Sequence, residues 1–244
     1  MLLKEELLLY QRQLGIDRWG VQAQEKLKQS SVFVAGTGGL GSPVLYYLTA
    51  AGVGNIHICD YDTIDLTNLN RQIIHDYKKI GQKKVDSAFS SLSALNPHVT
   101  INRIYEKITK SNAEKLINKS DLIIDCLDNF DARLVLNSIS VKRKIPMIHA
   151  GVSELQGQIS FLQPPETACL ACFMPRIKKK KIIYIAGAIP GVMGSLQAVE
   201  AIKFLTGIGG NLKNKILFWD GISMRFEIVN LLKNPRCRVC SKIL

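Results

Sequence analysis

Apolar positions along the chain fall into short runs that alternate with longer periodic stretches. Residues 31–35 (SVFVA) form an apolar run that predicts a buried strand, and residues 55–60 and 122–126 predict two more. Between them, residues 42–52 have helical composition, and residues 82–95 carry Val85, Phe89, Leu92 and Leu95 near the helical period. Residues 99–104 suit a strand, 113–118 a short helix, 130–144 a helix and 146–150 another strand. Before them stand two predicted N-terminal helices, the first amphipathic over residues 1–10. Strands alternating with helices in this way predict a doubly wound, mostly parallel sheet with helices on both faces.

After residue 151 the pattern changes. Residues 153–163 and 215–230 read as extended segments, and 191–205 as a helix with Val192, Leu196, Val199 and Ile202 along one stripe. This last third is expected to extend the same sheet with antiparallel strands. The whole chain, 1–244, is therefore read as one domain: N-terminal helices (1–30), a Rossmann-like nucleotide-binding part (31–150) and a sheet extension (151–244).

Composition narrows the class. With 47% hydrophobic and 21% charged residues this is the balance of a globular protein, and no apolar run approaches the ~20 residues of a membrane helix. Lys4, Glu5 and Glu6 interrupt the first segment too early for a secretory signal, so a cytoplasmic location is expected. The formal charge of +12 suits acidic partners, among them nucleotides, an acidic protein or RNA. Charge alone does not choose among them.

Gly36, Gly38 and Gly41 stand at GxGxxG spacing between the strand 31–35 and the helix that follows. Glycine there permits a tight turn and lets backbone N–H groups approach phosphate oxygens. Asp60, at the end of the next strand, is placed to accept hydrogen bonds from ribose hydroxyls. NAD, FAD and ATP all use such a turn. Arg71, within the stretch Asn68, Leu69, Asn70, Arg71 and Gln72, together with Lys84, adds cations that a triphosphate recruits. Asp128, beside Asn129 after the strand 122–126, offers a hard oxygen ligand for magnesium. Taken together these residues favour ATP with magnesium.

Four of the six cysteines form two CxxC pairs, Cys169 with Cys172 and Cys237 with Cys240. Four thiolates suffice for a closed tetrahedral zinc site, and a dithiol redox motif is the rival reading. Zinc is favoured, as a staple that pins the end of the chain. Cys59 and Cys126 lie in apolar strands, where inert thiols are expected. The histidines, His57, His75, His98 and His149, are scattered and read as structural.

Arg12, the GTGGLG turn, Asp60, the NLNRQ stretch, Lys84, the Asp128–Asn129 pair and the two CxxC pairs, in this order, resemble the adenylyltransferases of molybdopterin and thiamine biosynthesis. These are the prokaryotic relatives of the ubiquitin-activating enzymes. The resemblance implies nucleotide contacts from Gly39 and its neighbours, ribose contacts from Asp60, phosphate contacts from Asn68, Arg71 and Lys84, and magnesium on Asp128. It also implies that Arg12 reaches the partner subunit's site as an arginine finger, hence a homodimer. The reaction it implies is ATP-dependent adenylylation of the C-terminal Gly-Gly carboxylate of a ubiquitin-like sulfur-carrier protein. Some relatives use a further cysteine for a covalent link to the carrier; residues 175–190 contain none, so adenylylation alone is expected. The run Lys178 to Lys181 is either a solvated loop or a cationic lip for an acidic carrier. A nicotinamide oxidoreductase, a relative that activates a carboxylate on modified tRNA, and a non-catalytic scaffold are the alternatives; nucleic acid and membrane are not the expected partners.

Overall fold

The computed structural model describes residues 1–174 and 184–241. The Lys178 to Lys181 run lies outside the described residues.

The chain opens with three helices, α1 (Lys4–Leu9), α2 (Gln11–Leu14) and α3 (Gly20–Gln29). Two were expected; the second divides around residues 15–19, where Arg18 and Gly20 take positive φ. There follow β1 (Ser31–Ala35), α4 (Gly41–Ala51), β2 (Asn55–Cys59), α5 (Lys84–Leu95), β3 (Thr100–Ile104), α6 (Ala113–Ile117), β4 (Leu122–Asp125), α7 (Phe130–Arg143) and β5 (Met147–Ser153). The chain continues through β6 (Gln156–Leu162), α8 (Leu170–Phe173), α9 (Ala188–Thr206), β7 (Lys215–Asp220) and β8 (Arg225–Asn230). The expected extended segment 215–230 is thus a hairpin, and Met224 supplies a positive φ at its turn.

All eight strands form one sheet in the order β3-β2-β1-β4-β5-β6-β7-β8. The first five in that order are parallel, and β6, β7 and β8 are antiparallel, as the change of texture after residue 151 predicts. Both faces of the parallel part are covered. Along β1, Val32 and Val34 face one core with Leu45, Leu48 and Met193, while Phe33 and Ala35 face the other with Leu136 and Leu170. A side chain as fully buried as Phe33 contributes about 1.5–3 kcal/mol of transfer free energy, so burial on two faces explains why β1 reads as a continuous apolar run.

Helix α9 spans the expected 191–205 and slightly more. Met193, Gln197, Ala198 and Ala201 are buried, Val192, Leu196 and Ile202 of the expected stripe are partly buried against the same core, and Val199 is exposed. The helix is apolar on a second side as well. Among the described residues no helix is long and apolar enough to cross a membrane.

Candidate nucleotide site and cysteine cluster

The sheet order reverses between β1 and β4: from β1 the chain proceeds outward to β2 and β3, and from β4 the other way to β5. The loops leaving β1 and β4 therefore splay apart and open a crevice at the carboxyl edge, where open α/β sheets bind ligands. Gly36 and Asp128 both sit there.

The turn after β1 depends on its glycines. Gly36 has φ +96°, and a Cβ on it would lie 2.9 Å from the Cys126 carbonyl oxygen. A Cβ on Gly41 would lie 2.1 Å from the Gly36 carbonyl oxygen, inside hard contact. The helix start can fold back over the strand end only without those atoms. The first turn of α4 has no side-chain cap; its Ser42 and Val44 N–H groups already donate to the Gly38 and Leu40 carbonyls and Pro43 has none, so an incoming acceptor would meet the turn residues Gly38, Gly39 and Leu40 ahead of the helix.

Asp60 is tied to this turn. One of its oxygens accepts from the Thr37 backbone N–H at 2.9 Å and the Thr37 hydroxyl at 3.0 Å; the other accepts from the Asp62 N–H at 2.9 Å. A carboxylate offers about four lone-pair directions, so Asp60 retains capacity for a ribose hydroxyl.

The NLNRQ stretch crosses over the turn. The Arg71 Cγ comes within 3.5 Å of where a Gly39 Cβ would be, and Gln72 Nε2 within 3.6 Å of that of Gly38. Arg71 donates to the Thr67 carbonyl at 2.9 Å and to Asn70 Oδ1 at 2.8 Å. Gln72 is buried, and its Oε1 has no partner among the described residues. Asn68 has a local task besides any toward phosphate: its Oδ1 accepts from the Asp65 N–H at 3.1 Å and closes a capping box.

Lys84 begins α5 and is buried against Asp62, Nζ to Oδ2 3.0 Å. His75 lies between these parts. Its Nε2 is 3.1 Å from the Thr37 carbonyl, so Nε2–H donates and Nδ1 accepts from the Ser87 hydroxyl at 3.0 Å. Burial foremost, then the Lys84 charge, pulls its pKa down to about 4.

Asp128 is exposed, and its carboxylate accepts no hydrogen bond from a described residue. Burial, then Asp62, Asp128 and Asp60, raise the pKa of Tyr61, so three carboxylates surround one phenol at this edge. A single free carboxylate beside a phosphate turn fits magnesium, which takes one or two protein carboxylates and completes its shell with phosphate and water. Asn129 turns out to cap α7, its Oδ1 accepting from the Ala132 N–H at 3.2 Å.

Arg12 does not join this set. It lies exposed on α2, which packs against α1 and α3.

Sequence reasoning passed over Asp62, Thr37, Arg133 and the fully buried Asp125. The signal for Asp125 was available: a carboxylate inside the apolar run 122–126 must find partners. His149 Nδ1 donates to it at 2.7 Å, and Arg133 Nε stands 3.7 Å away. Burial would raise the Asp125 pKa, yet Arg133 and His149 outweigh it and hold it low; burial lowers that of His149, which is neutral. Cys59 and Cys126 are buried free thiols, the first pushed up to about 12 by burial and the second well above its ordinary value, as expected for inert cysteines.

The two CxxC pairs meet. The four sulfurs lie within 4.8 Å of one another, with Cys169 to Cys237 at 3.7 Å, Cys169 to Cys172 at 3.9 Å and Cys172 to Cys240 at 3.4 Å. A tetrahedral ion at about 2.3 Å from each sulfur requires separations of about 3.8 Å, so the quartet fits a closed metal site. Asn137 Nδ2 donates to Cys169 Sγ at 3.7 Å and steadies it from α7. The thiols differ: burial raises the pKa of Cys169, and raises that of Cys240 to about 11, whereas backbone N–H groups of Cys240 and Val239 outweigh burial at Cys237 and bring it to about 7.

The glycine turn at the sheet reversal, tied to Asp60 and flanked by Arg71 and Gln72, has the form of a nucleotide crevice in an α/β sheet, and the four cysteines form a metal-competent cluster. The ThiF family matches residues 10–239, and the chain belongs to that family. It is 35% identical over 243 residues to the molybdopterin-synthase adenylyltransferase of Escherichia coli (strain K12), covering 98% of both chains. It is also 35% identical over 248 residues to the sulfur carrier protein adenylyltransferase of Thermus thermophilus, covering 97% of this chain and 92% of the relative. Among solved structures, E. coli MccB with MccA-N7isoASN superposes with TM-score 0.87 at 23% identity, covering 96% of this chain and 74% of that one. The same protein with ATP gives TM-score 0.81 at 25% identity, covering 90% and 68%.

Proposed function

We propose that this chain is an adenylyltransferase that uses ATP to activate the C-terminal carboxylate of a ubiquitin-like sulfur-carrier protein ending in Gly-Gly. The observation that carries this reading is the passage of the Arg71 and Gln72 stems beside Gly39 and Gly38, at a turn whose first peptide is tied to Asp60. The names of the E. coli and Thermus relatives, at 35% identity over nearly the full chain, support it, as does the ATP complex of MccB.

In this reaction a carboxylate oxygen of the tail attacks the α-phosphorus of ATP, the bond from that phosphorus to the bridging oxygen breaks, and pyrophosphate leaves with the electron pair. A terminal carboxyl has a pKa of about 3.3–3.7, so the nucleophile is already ionised and needs no general base. Alignment and charge neutralisation are what remain to supply. The turn N–H groups, Asn68, Gln72, Arg71 and Lys84 bind and orient the phosphates, and Asp60 the ribose. Magnesium, held by Asp128, would supply positive charge to the phosphates. Asn129 contributes by fixing the start of α7.

The full 1–244 chain acts as one domain and as a homodimer. Exposed Tyr47, Ile73, Leu95 and Val199, with Val192 and Leu196, line an apolar groove between α4 and α9 that suits a second copy. Arg12, outside its own chain's site, would then reach the partner subunit's. The cysteine quartet holds zinc as a staple. Four reduced thiols suit the cytoplasm. Membership of the ThiF family weighs against the oxidoreductase reading.

The test is to incubate the protein with ATP, magnesium and candidate carriers and to weigh the carrier. Mass gain by one adenylyl group, converted by hydroxylamine to the carrier's hydroxamate with release of AMP and absent when the carrier's tail is amidated, is expected. ATP binding with no adenylate on any carrier would favour a scaffold.

A further inference from the structure

A buried polar group lies directly behind Asp128 and takes no part in binding as described. Asp125 Oδ1 accepts from the Leu127 N–H at 3.1 Å, and its Oδ2 from His149 Nδ1 at 2.7 Å. Arg133, one turn into α7, donates to the Leu127 carbonyl through Nε at 3.0 Å and through Nη2 as well. Both polar groups of residue 127 are therefore held, one from each side, by a carboxylate and a guanidinium that are themselves ion-paired. Gln197, reaching across from α9, donates to the Asp125 carbonyl at 2.9 Å and fixes the end of β4. On the other flank, Asn129 caps α7, and its carbonyl accepts from the Arg133 N–H at 3.3 Å.

Asp128 stands between these two fixed points. It is an exposed loop residue with no hydrogen bond of its own among the described residues, yet the backbone on both sides of it is clamped. Two buried charges and a buried histidine are an expensive way to hold one leucine peptide. Removing charges from water carries a penalty of several kcal/mol per ion, and stability alone is as well served by apolar packing. The arrangement makes sense where the neighbouring side chain must sit in one place.

We propose that Asp125, Arg133 and His149 are positioning residues that act through Asp128, fixing its carboxylate for the magnesium of bound ATP. This rests on the reading of Asp128 given above. Arg133 supplies the hold on the Leu127 carbonyl, Asp125 the hold on its N–H, and His149 orients Asp125. Disturbing such outer partners of a metal ligand typically weakens metal-dependent binding by about 10–100-fold.

The experiment is calorimetric titration of the full-length chain with ATP, in magnesium and in EDTA, for wild type, Asp128→Asn, Arg133→Lys and the double variant. Arg133→Lys keeps a charge beside Asp125 but cannot fork onto the Leu127 carbonyl. Its ATP affinity in EDTA should match wild type, and the gain that magnesium confers should fall by about tenfold. In the double variant the loss should be no greater than in Asp128→Asn alone, because one acts through the other. A purely structural role would give losses that multiply, or a loss that persists in EDTA. Either result, or a full magnesium gain in Arg133→Lys, overturns the proposal while leaving Asp128 as ligand. Should Arg133→Lys fail to fold, His149→Gln decides: a smaller magnesium-specific loss supports the clamp, and none overturns it. A wild-type chain that gains no ATP affinity from magnesium removes the underlying reading, and the proposal with it.

Discussion

Lys84 holds its ammonium 3.0 Å from Asp62 Oδ2 while only 5% of the lysine remains exposed. The Lys84 N–H also donates to the Asp62 carbonyl at 3.0 Å, so the two residues are joined through backbone and side chain. A nearly buried ammonium needs a counter-charge, and in the free protein Asp62 provides it. Under the proposed function, the phosphates of bound ATP would take over part of that duty.

Replacing Asp62 with Ala should therefore destabilise the nucleotide-free chain by about 1 kcal/mol, a modest figure because the carboxylate is half exposed. Saturating ATP should narrow the difference in melting temperature. Lys84→Met should instead lower ATP affinity by about tenfold or more, since it removes a charge-assisted contact. Thermal melts with and without ATP check both.

Gly41→Ala brings a methyl group to 2.1 Å from the Gly36 carbonyl oxygen, which is backbone and cannot yield cheaply. We expect loss of ATP binding with destabilisation of about 1–3 kcal/mol. Gly210→Ala, where nothing lies within 4 Å, is the control and should bind ATP as wild type does. Denaturant unfolding and an ATP titration separate the two effects.

The cysteine quartet should carry one tightly held zinc per chain, measurable by elemental analysis. Chelation under denaturing pressure, or Cys240→Ser, should lower the melting temperature by several degrees and loosen the segment after β8. ATP affinity should change little, because the quartet packs against Val141 and Asn137 of α7 and touches none of the described residues of the glycine turn. Metal content and ATP affinity falling together in proportion would contradict that separation.

Much of this was legible in the chain. The apolar run at 31–35, the glycine spacing and the change of texture after 151 pointed to the mostly parallel sheet, its glycine turn and its antiparallel end, because burial on two faces and a turn without Cβ atoms each leave a local signature; the reversal between β1 and β4 leaves none. The cysteine quartet was equally visible, since CxxC pairs advertise their chemistry. What stayed hidden depends on tertiary pairing. Nothing local tells that Asp62 will face Lys84, that Asn129 will cap a helix, or that Arg133 will turn back onto Leu127. Helix α9 is apolar on two sides, so the stripe of Val192, Leu196, Val199 and Ile202 marks the helix without telling that Met193, Ala198 and Ala201 lie deeper or that Val199 is exposed.

His75 makes stability depend on pH in a known direction. Its folded pKa, about 4, lies below the unfolded value of about 6.5, so the unfolded chain takes up a proton that the native site refuses. The contribution is complete above about pH 6.5, is lost as pH falls toward 4, and is flat below. His75→Gln should flatten part of that slope. Buried His149 acts in the same direction and leaves a residual slope. Urea unfolding at several pH values measures it.

If Arg12 works in the partner subunit's site, mixing Arg12→Ala with Asp128→Asn should restore activity that neither has alone, because some mixed dimers hold one intact site. Mixtures no more active than their parts would place Arg12 outside the reaction.

Exchange of labelled pyrophosphate into ATP reads out whether Arg71, beside the glycine turn, steadies ATP while a carrier's ionised chain end displaces pyrophosphate. Exchange should require a carrier with a free Gly-Gly carboxylate and should fall by about 100-fold or more in Arg71→Ala. Exchange at the wild-type rate in Arg71→Ala, or without any carrier, would contradict it.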